Sequence, residues 1–194
     1  MNNIIENMLT RRSIRKYKNE QVSDENLEMI LTAAKYAPSG FNSQSWHFTV
    51  IQNQDKLIEL NNLIKTAFSY INVEDPKFAF LKLAKANSEK EGFSFNYNSP
   101  TLIIVSNEAD YSNSMADSSC AMQNMFLAAH SLGLGTCWIN VLTGLSNNPV
   151  IKNYLNELGV PTTHKICGAV SLGYSAMPEL SAPPRKENTV TIVK

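Results

Sequence analysis

Asp117-Ser118-Ser119-Cys120-Ala121-Met122-Gln123-Asn124-Met125-Phe126-Leu127-Ala128-Ala129-His130-Ser131-Leu132, closed by Gly133, is the stretch on which the fold turns. Asp117 can cap it as a helix, and from Ala121 to Leu132 its side chains are apolar nearly all round. A helix without a polar face belongs deep in a core, so the remaining elements must pack around this one. Gly133 ends it, as glycine commonly does beyond a helix. Residues 137–141 then read as a strand. Pro149 opens a helix over residues 150–158, with Gly159 as its C-cap.

Working outward, residues 102–105 form a short continuous apolar run, the pattern of a strand covered on both faces. Residues 46–51 and 166–172 also read as strands, and 189–193 as a last short one. Ile4, Ile5, Met8 and Leu9 share one helical face. Ser23 caps a helix with Asp24 and Glu25 in its first turn, a buried stripe of Leu27, Ile30, Leu31 and Ala34, and a stop at Pro38. Leu57, Leu60, Ile64, Ala67 and Phe68 mark another helix, and Pro76 can open one running to about Lys90. Residues 72–98 carry Phe78, Phe80, Phe93, Phe95 and Tyr97. They read equally as an aromatic lid over a pocket and as an ordinary packing excursion. Strands and helices mix without strict βαβ alternation, which argues for one α+β domain over residues 1–194 with helices on a central sheet. The last strand follows an extended stretch, residues 175–188, long enough to reach a partner subunit as a swapped arm.

Composition narrows the function. The 194 residues are 43% hydrophobic and 18% charged with zero formal net charge, as expected of a folded globular protein. Broad attraction to nucleic acid or to an anionic membrane is not expected. No apolar run approaches the ~20 residues of a membrane helix, and the first residues lack a signal-peptide profile, so the expected compartment is the cytoplasm. Cys120, Cys137 and Cys167 are too few and too widely spaced for a disulfide framework or a zinc site, and their apolar neighbours suggest buried free thiols. His47, His130 and His164 lack the spacing of a helical metal site, so no metal is expected.

The arginines are the stronger signal. Arg11, Arg12 and Arg15 fall within five residues, Arg185 lies near the other end beside Lys186, and the thirteen lysines are spread along the chain. Guanidinium offers planar, forked hydrogen bonding suited to phosphate, while lysine serves as a point charge. Both ends therefore read as converging on one anionic ligand; the plainer alternative is an accident of a lysine-rich composition. A Walker motif is absent, and Gly133-Leu134-Gly135-Thr136 follows a helix and precedes a strand, the reverse of dinucleotide-binding order. No nucleophile elbow or paired acid stands out, and no catalytic residue is assigned. An enzyme of this kind takes its chemistry from a bound cofactor, whose phosphate the arginines would grip.

Five pieces in register make a specific pattern: Arg11-Arg12-Ser13-Ile14-Arg15-Lys16-Tyr17, Ala37-Pro38-Ser39-Gly40-Phe41-Asn42-Ser43-Gln44-Ser45-Trp46, Gly133-Leu134-Gly135-Thr136-Cys137-Trp138-Ile139, Gly168-Ala169-Val170-Ser171-Leu172-Gly173-Tyr174 and Pro184-Arg185-Lys186. In this order the chain resembles the nitroreductase family of FMN-dependent oxidoreductases. One departure is Ser45, where the family commonly has proline. The resemblance implies a mostly antiparallel central sheet flanked by helices, and a homodimer with two FMN molecules at the subunit interface. It implies that Arg11, Arg12, Ser13 and Arg15 hold the phosphate, ribityl chain and pyrimidine edge, and that Arg185 and Lys186 complete the phosphate site. Pro38, Ser39, Gly40 and Asn42 would approach from the other subunit, and a turn at Thr143 and Gly144 would set backbone amides near the flavin N5 face. The implied activity passes hydride from NADH or NADPH through FMN to a small acceptor such as a nitroaromatic or quinone. Two other readings are a non-catalytic flavin module for storage or redox sensing, and a structural dimer binding some other phosphate.

Overall fold

In the computed structural model, residues 2–71 and 79–194 are described. Four strands form one sheet: β1 (Trp46–Ile51), β2 (Thr101–Glu108), β3 (Gly135–Ile139) and β4 (His164–Gly173), in the order β1-β2-β4-β3. Every neighbouring pair is antiparallel. Seven helices accompany it among the described residues: α1 (Asn3–Thr10), α2 (Asp24–Lys35), α3 (Gln54–Tyr70), α4 (Ala79–Ser88), α5 (Ser114–Ser131), α6 (Val141–Leu145) and α7 (Pro149–Glu157).

Side-chain alternation along the central strand explains the layers. Successive residues of a strand point to opposite faces. Leu102 and Ile104 of β2 join Ile51, Ile139 and Ala169 in a core closed by α3, α6 and α7. Ile103 and Val105 join Val170 and Leu172 in a second core closed by α2 and α5. The apolar run is therefore a two-sided strand, as its lack of alternation suggests. Phe68, Leu60 and Ile64 anchor the first core and Ile30, Met122 and Met125 the second, all with essentially no exposed surface. Each such side chain contributes about 1.5–3 kcal/mol by leaving water.

Local signals hold where the backbone carries them. Ser23 accepts from the Asn26 amide at the start of α2. Pro149 sits in the first turn of α7 behind the Asn148 cap, and Gly133 and Gly159 take positive φ beyond α5 and α7.

Several expectations need correction. Helix α5 begins at Ser114, a turn before Asp117, so Asp117 is not its cap but a side chain of the first turn. Its buried stripe runs Ser118, Ala121, Met122, Met125 and Ala129, while Leu127 and Ala128 are only half-buried. Cys120 lies off that stripe and is exposed, unlike Cys137 and Cys167. Strand β3 ends at Ile139, its last ladder partner being Ala169. Asn140 has helical backbone angles, so residues 141–145 form α6 rather than a strand end and a turn. Residues 189–193 form no ladder, and Val190, Ile192 and Val193 are exposed. A strand needs a hydrogen-bonding neighbour, and the described residues of the same chain supply none there. Pro76 and Phe78 lie outside the described residues, as does the Phe80 side chain. No helix among the described residues is long and apolar enough to cross a membrane.

Phe68→Ala should lower unfolding stability by about 3–5 kcal/mol, the usual cost of emptying a fully buried aromatic site. Urea denaturation of the purified protein measures this, and a cost under about 1 kcal/mol would show that the α3 core is not close-packed.

Candidate functional site

Residues 13–18 lie as a strap along the open edge of the sheet. The Ile14 amide donates to the Thr136 carbonyl of β3 at 2.9 Å, and Lys18 N–H donates to the Tyr174 carbonyl at 2.9 Å. Ala176 N–H returns a bond to the Lys16 carbonyl, also at 2.9 Å. The Tyr17 hydroxyl donates to the Ile14 carbonyl at 2.7 Å and meets Ser171 Oγ of β4 at 2.7 Å. Burial drives the Tyr17 phenol well above its ordinary pKa, so it stays a hydroxyl and keeps its donor. Gly135 makes room: a Cβ there would lie 2.6 Å from an Ile14 side-chain carbon. These contacts fix where the arginines at the head of the strap can go.

Arg11 stands over the Phe126 ring, 5.7 Å from its centroid. Its pKa lies below the ordinary arginine value, chiefly through burial and then through Arg12, with Arg185 adding to the effect and Cys137 opposing it. Arg185 is the last and smallest of these influences on Arg11. Among the described residues the one ion pair is Lys56 with Glu59, on α3, so this group of cations has no carboxylate partner there. Arg12 is turned inward. It donates to the carbonyls of Leu9 and Arg11, and through Nε to that of Ser181 at 3.3 Å, tying α1 to the C-terminal stretch. Arg11 and Arg12 line a cavity of about 570 Å³ with Gly133, Thr136, His130 and Met177.

Ser13 and Arg15 flank Cys137. Burial raises the thiol pKa despite the nearby guanidinium groups, so Cys137 is a buried thiol rather than a nucleophile at neutral pH. Arg15 is exposed, and its pKa is raised, first by Cys137. Arg185 and Lys186 lie exposed on the C-terminal stretch.

The second group of candidates sits elsewhere. Pro38, Ser39, Gly40 and Asn42 belong to the connection between α2 and β1, with a single 3-10 turn at Gly40–Asn42. Phe41, Asn42 and Gln44 all have positive φ, a strained choice for residues other than glycine. A dense set of bonds holds the strain. Asp117 accepts from the Gly40 amide at 3.1 and 3.2 Å, Tyr111 donates to the Gly40 carbonyl at 3.0 Å, and Ser39 Oγ accepts from the Gln44 amide at 3.1 Å. Phe41 itself is 102% exposed.

This loop packs at Asp117, near the start of α5, whereas the arginine cavity adjoins His130, near its end. Thirteen residues of helix rise ~20 Å, so one chain does not bring the two groups together. Thr143 and Gly144 lie within α6, and the Gly144 amide is engaged with the Asn140 carbonyl at 3.2 Å. Another cavity, of about 440 Å³, opens where residues 84–97 face the β3–α6 corner, with Phe93, Tyr97, Trp138 and Asn140 in its wall. The aromatic segment thus lines a pocket with its described part. Asp117, Tyr111 and Tyr17 escaped the sequence reading as supports. Their partners are 71 to 154 residues away for the bonds that matter, and no local pattern encodes such contacts.

An antiparallel sheet sandwiched by helices, with a group of arginines at its edge, defines an α+β protein of the helix-covered sheet class. The sequence model of the nitroreductase family matches residues 8–174, and the chain belongs to that family. It is 41% identical to a Bacteroides fragilis nitroreductase solved with bound FMN, the two superposing with a TM-score of 0.91 over 100% of each chain. A Desulfitobacterium hafniense nitroreductase with bound FMN is 26% identical, with a TM-score of 0.83, again over 100% of each chain. An Archaeoglobus fulgidus relative, whose name proposes an NADH dehydrogenase/NAD(P)H nitroreductase, is 30% identical over 181 residues, 90% of this chain and 86% of that protein.

Two outcomes follow from the geometry. Gly135→Val should displace the strap and cost about 1–3 kcal/mol by overpacking, read by denaturation. The pKa of His130 is depressed by burial and then by Arg11 and Arg12. An anion seated on those arginines should therefore raise it, and by linkage anion binding should tighten as pH falls through the imidazole range. Imidazole NMR titration with and without inorganic phosphate measures the shift; a downward or absent shift would place the anion elsewhere.

Proposed function

We propose that this chain is an FMN-dependent NAD(P)H oxidoreductase, one FMN-binding domain over residues 1–194 that works as a homodimer and reduces a small acceptor such as a nitroaromatic or a quinone. The observation that carries the reading is the group of arginines from both ends of the chain, without a carboxylate partner among the described residues. Bound FMN in the 41%-identical Bacteroides fragilis nitroreductase supports it.

The residues fit the cofactor's phosphate. Arg11 and Arg185 supply positive charge that no salt bridge neutralises among the described residues, with Glu179 also in the cavity wall; Lys186 adds a further cation, and the strap presents Ser13 and Arg15. Arg12 contributes chiefly by bracing Arg11, since its own donors reach backbone carbonyls. When bound, FMN supplies a two-electron relay between reduced nicotinamide and the acceptor. A guanidinium at Arg15 stabilises negative charge on the pyrimidine edge. Thr143 and Gly144 flank the ring from α6, with the Thr143 amide in the first turn, where no intrahelical carbonyl takes it. Pro38, Ser39, Gly40 and Asn42 complete the site from the other subunit. The dimer also accounts for exposed apolar surface: Ile4, Ile5, Met8 and Leu9 on α1, and Val190, Ile192 and Val193, which would pair as an arm on the partner. A cytoplasmic setting keeps the exposed Cys120 reduced.

The visible spectrum of the purified protein, recorded before and after NADH or NADPH is added without oxygen, tests the reading. Flavin bands that bleach support it. Flavin bands that persist with both donors indicate a non-catalytic flavin module, and no bands after incubation with FMN overturn it. Arg11→Ala and Arg185→Ala should each weaken FMN binding on the order of 10- to 100-fold, the range for a lost charged hydrogen bond, with the fold intact by circular dichroism. Full flavin occupancy of both variants in dilute solution would remove the shared phosphate site.

A further inference from the structure

His47 and His164, far apart in sequence, meet at one end of the sheet. Their ring centroids are 6.2 Å apart and their planes cross at 82°. His47 lies near the start of β1 and His164 at the start of β4, with β2 between the two strands. Two strand spacings, ~9.5 Å, separate such backbones, so the rings lean together over β2.

A bulge makes the meeting possible. Val105 pairs with Gly168 but Ser106 pairs with Ile166, so Cys167 is an extra residue on β4. Cys167 Sγ lies 3.6 Å from the Ser114 carbonyl of α5, and a Cβ on Gly168 would meet Met122 of α5 at 3.0 Å. These two consecutive residues therefore face the same helix. Toward the start of β4 the alternation then sets Ile166 and His164 on the face of Ser106, the register partner of His47. A slip of one residue moves every side chain of a strand to the other face. Without the extra residue, His164 would stand on the α5 face, away from His47. Bulges re-aim side chains in this way, often at functional sites.

The surroundings suit a metal ion. Ser106 is fully buried, and its Oγ lies 3.2 Å from His164 Nδ1. The His47 carbonyl, 3.5 Å away, takes the hydroxyl hydrogen. Ser106 therefore accepts from Nδ1–H, and the free lone pair of the ring is on Nε2. Such a bond to one ring nitrogen is the usual support of a ligating histidine. Glu108, opposite His164 in register, adds negative charge on the same face. A cavity of about 150 Å³ beside His164 is walled in part by Ser146, Asn147 and Asn156, which can hold water on an ion. Lys152 and Lys165 also line it, but Lys165 Nζ is engaged with the Ala109 carbonyl at 3.0 Å. Among the described residues no three His, Cys, Asp or Glu side chains group closely enough to hold a metal, so the two imidazoles would be the protein's ligands and water would complete the shell. A metal–nitrogen distance of 2.0–2.1 Å sets each ring centroid ~3.2 Å from the ion, so two rings on one ion stand ~5.2 Å apart at a tetrahedral angle and ~6.4 Å apart in line. The observed separation falls inside that range, and His47 is exposed and free to turn its ring inward.

We propose that His47 and His164 bind one borderline divalent metal ion per chain, of the zinc class, and clamp β1 to β4 across β2. Neutral imidazole suits zinc, nickel and copper, while magnesium and calcium need oxygen ligands. The site is structural with respect to the flavin chemistry. The arginine cavity adjoins Gly135, which pairs with Gly173 at the far end of β4, ~30 Å along the strand.

The test is a calorimetric titration of the purified protein with zinc chloride, after chelator dialysis and without an affinity tag. A Cys120→Ala background removes the exposed thiol, a competing zinc ligand. One equivalent should bind per chain, and excess zinc should raise the urea midpoint of unfolding. His47→Gln and His164→Gln should each weaken binding at least ~10-fold, the lower end even for a lost outer partner of a metal ligand, and should cancel the rise in midpoint. Absence of saturable binding to the parent protein overturns the proposal. So does equal affinity in the parent and in His47→Gln. Should the half-buried His164→Gln fail to fold, the exposed His47→Gln decides alone.

Discussion

The hydrogen bond from the Ile14 amide to the Thr136 carbonyl, seconded by the Tyr17 hydroxyl on Ser171, governs the rest of the candidate site. It pins a short extended segment to the open edge of β3. Everything at the head of that segment then has a defined place. Arg11 lands over Phe126, Arg12 folds back on the end of α1, and Ser13 and Arg15 come up beside Cys137. Two backbone bonds and a buried phenol do what a longer strand would otherwise do, and Gly135 supplies the space.

The second constraint is the distribution of the proposed site over a long helix. Helix α5 carries Asp117 and its strained loop near one end and the arginine cavity near the other. Its rigidity forbids the two from meeting within a chain. The proposed two-fold assembly would resolve this in general terms, since each copy would offer at one end what the other lacks. The half-buried outer face of α5, the apolar face of α1 and the unpaired C-terminal residues are the apolar surfaces that a lone chain leaves exposed or half-exposed.

Much of the fold was legible because its signals are local. Ser23, Pro149, Gly133 and Gly159 act through the few residues around them, and the apolar run in β2 reports burial on both faces directly. Misreadings arose where two roles share one residue type. Asp117 has the chemistry of a helix cap, but it lies one turn inside the helix, and its carboxylate accepts from a loop 77 residues away. Residues 137–141 are apolar enough for a strand throughout, yet the ladder stops at Ile139 and the backbone turns helical at Asn140.

By itself the sequence determined the residue types and their order: guanidinium at two places, a long central helix rich in apolar residues, a two-sided strand and the glycines that end elements. Those follow from side-chain chemistry and from periodicity, which need no partner. Only the tertiary structure decided which of these come together. That Arg12 reaches the Ser181 carbonyl, that the loop at Ser39 to Asn42 does not join the arginines, and that Tyr17 and Asp117 act as supports all depend on contacts between distant parts of the chain. Such contacts are set by how the sheet and α5 pack, a property of the whole core that no single stretch of residues carries.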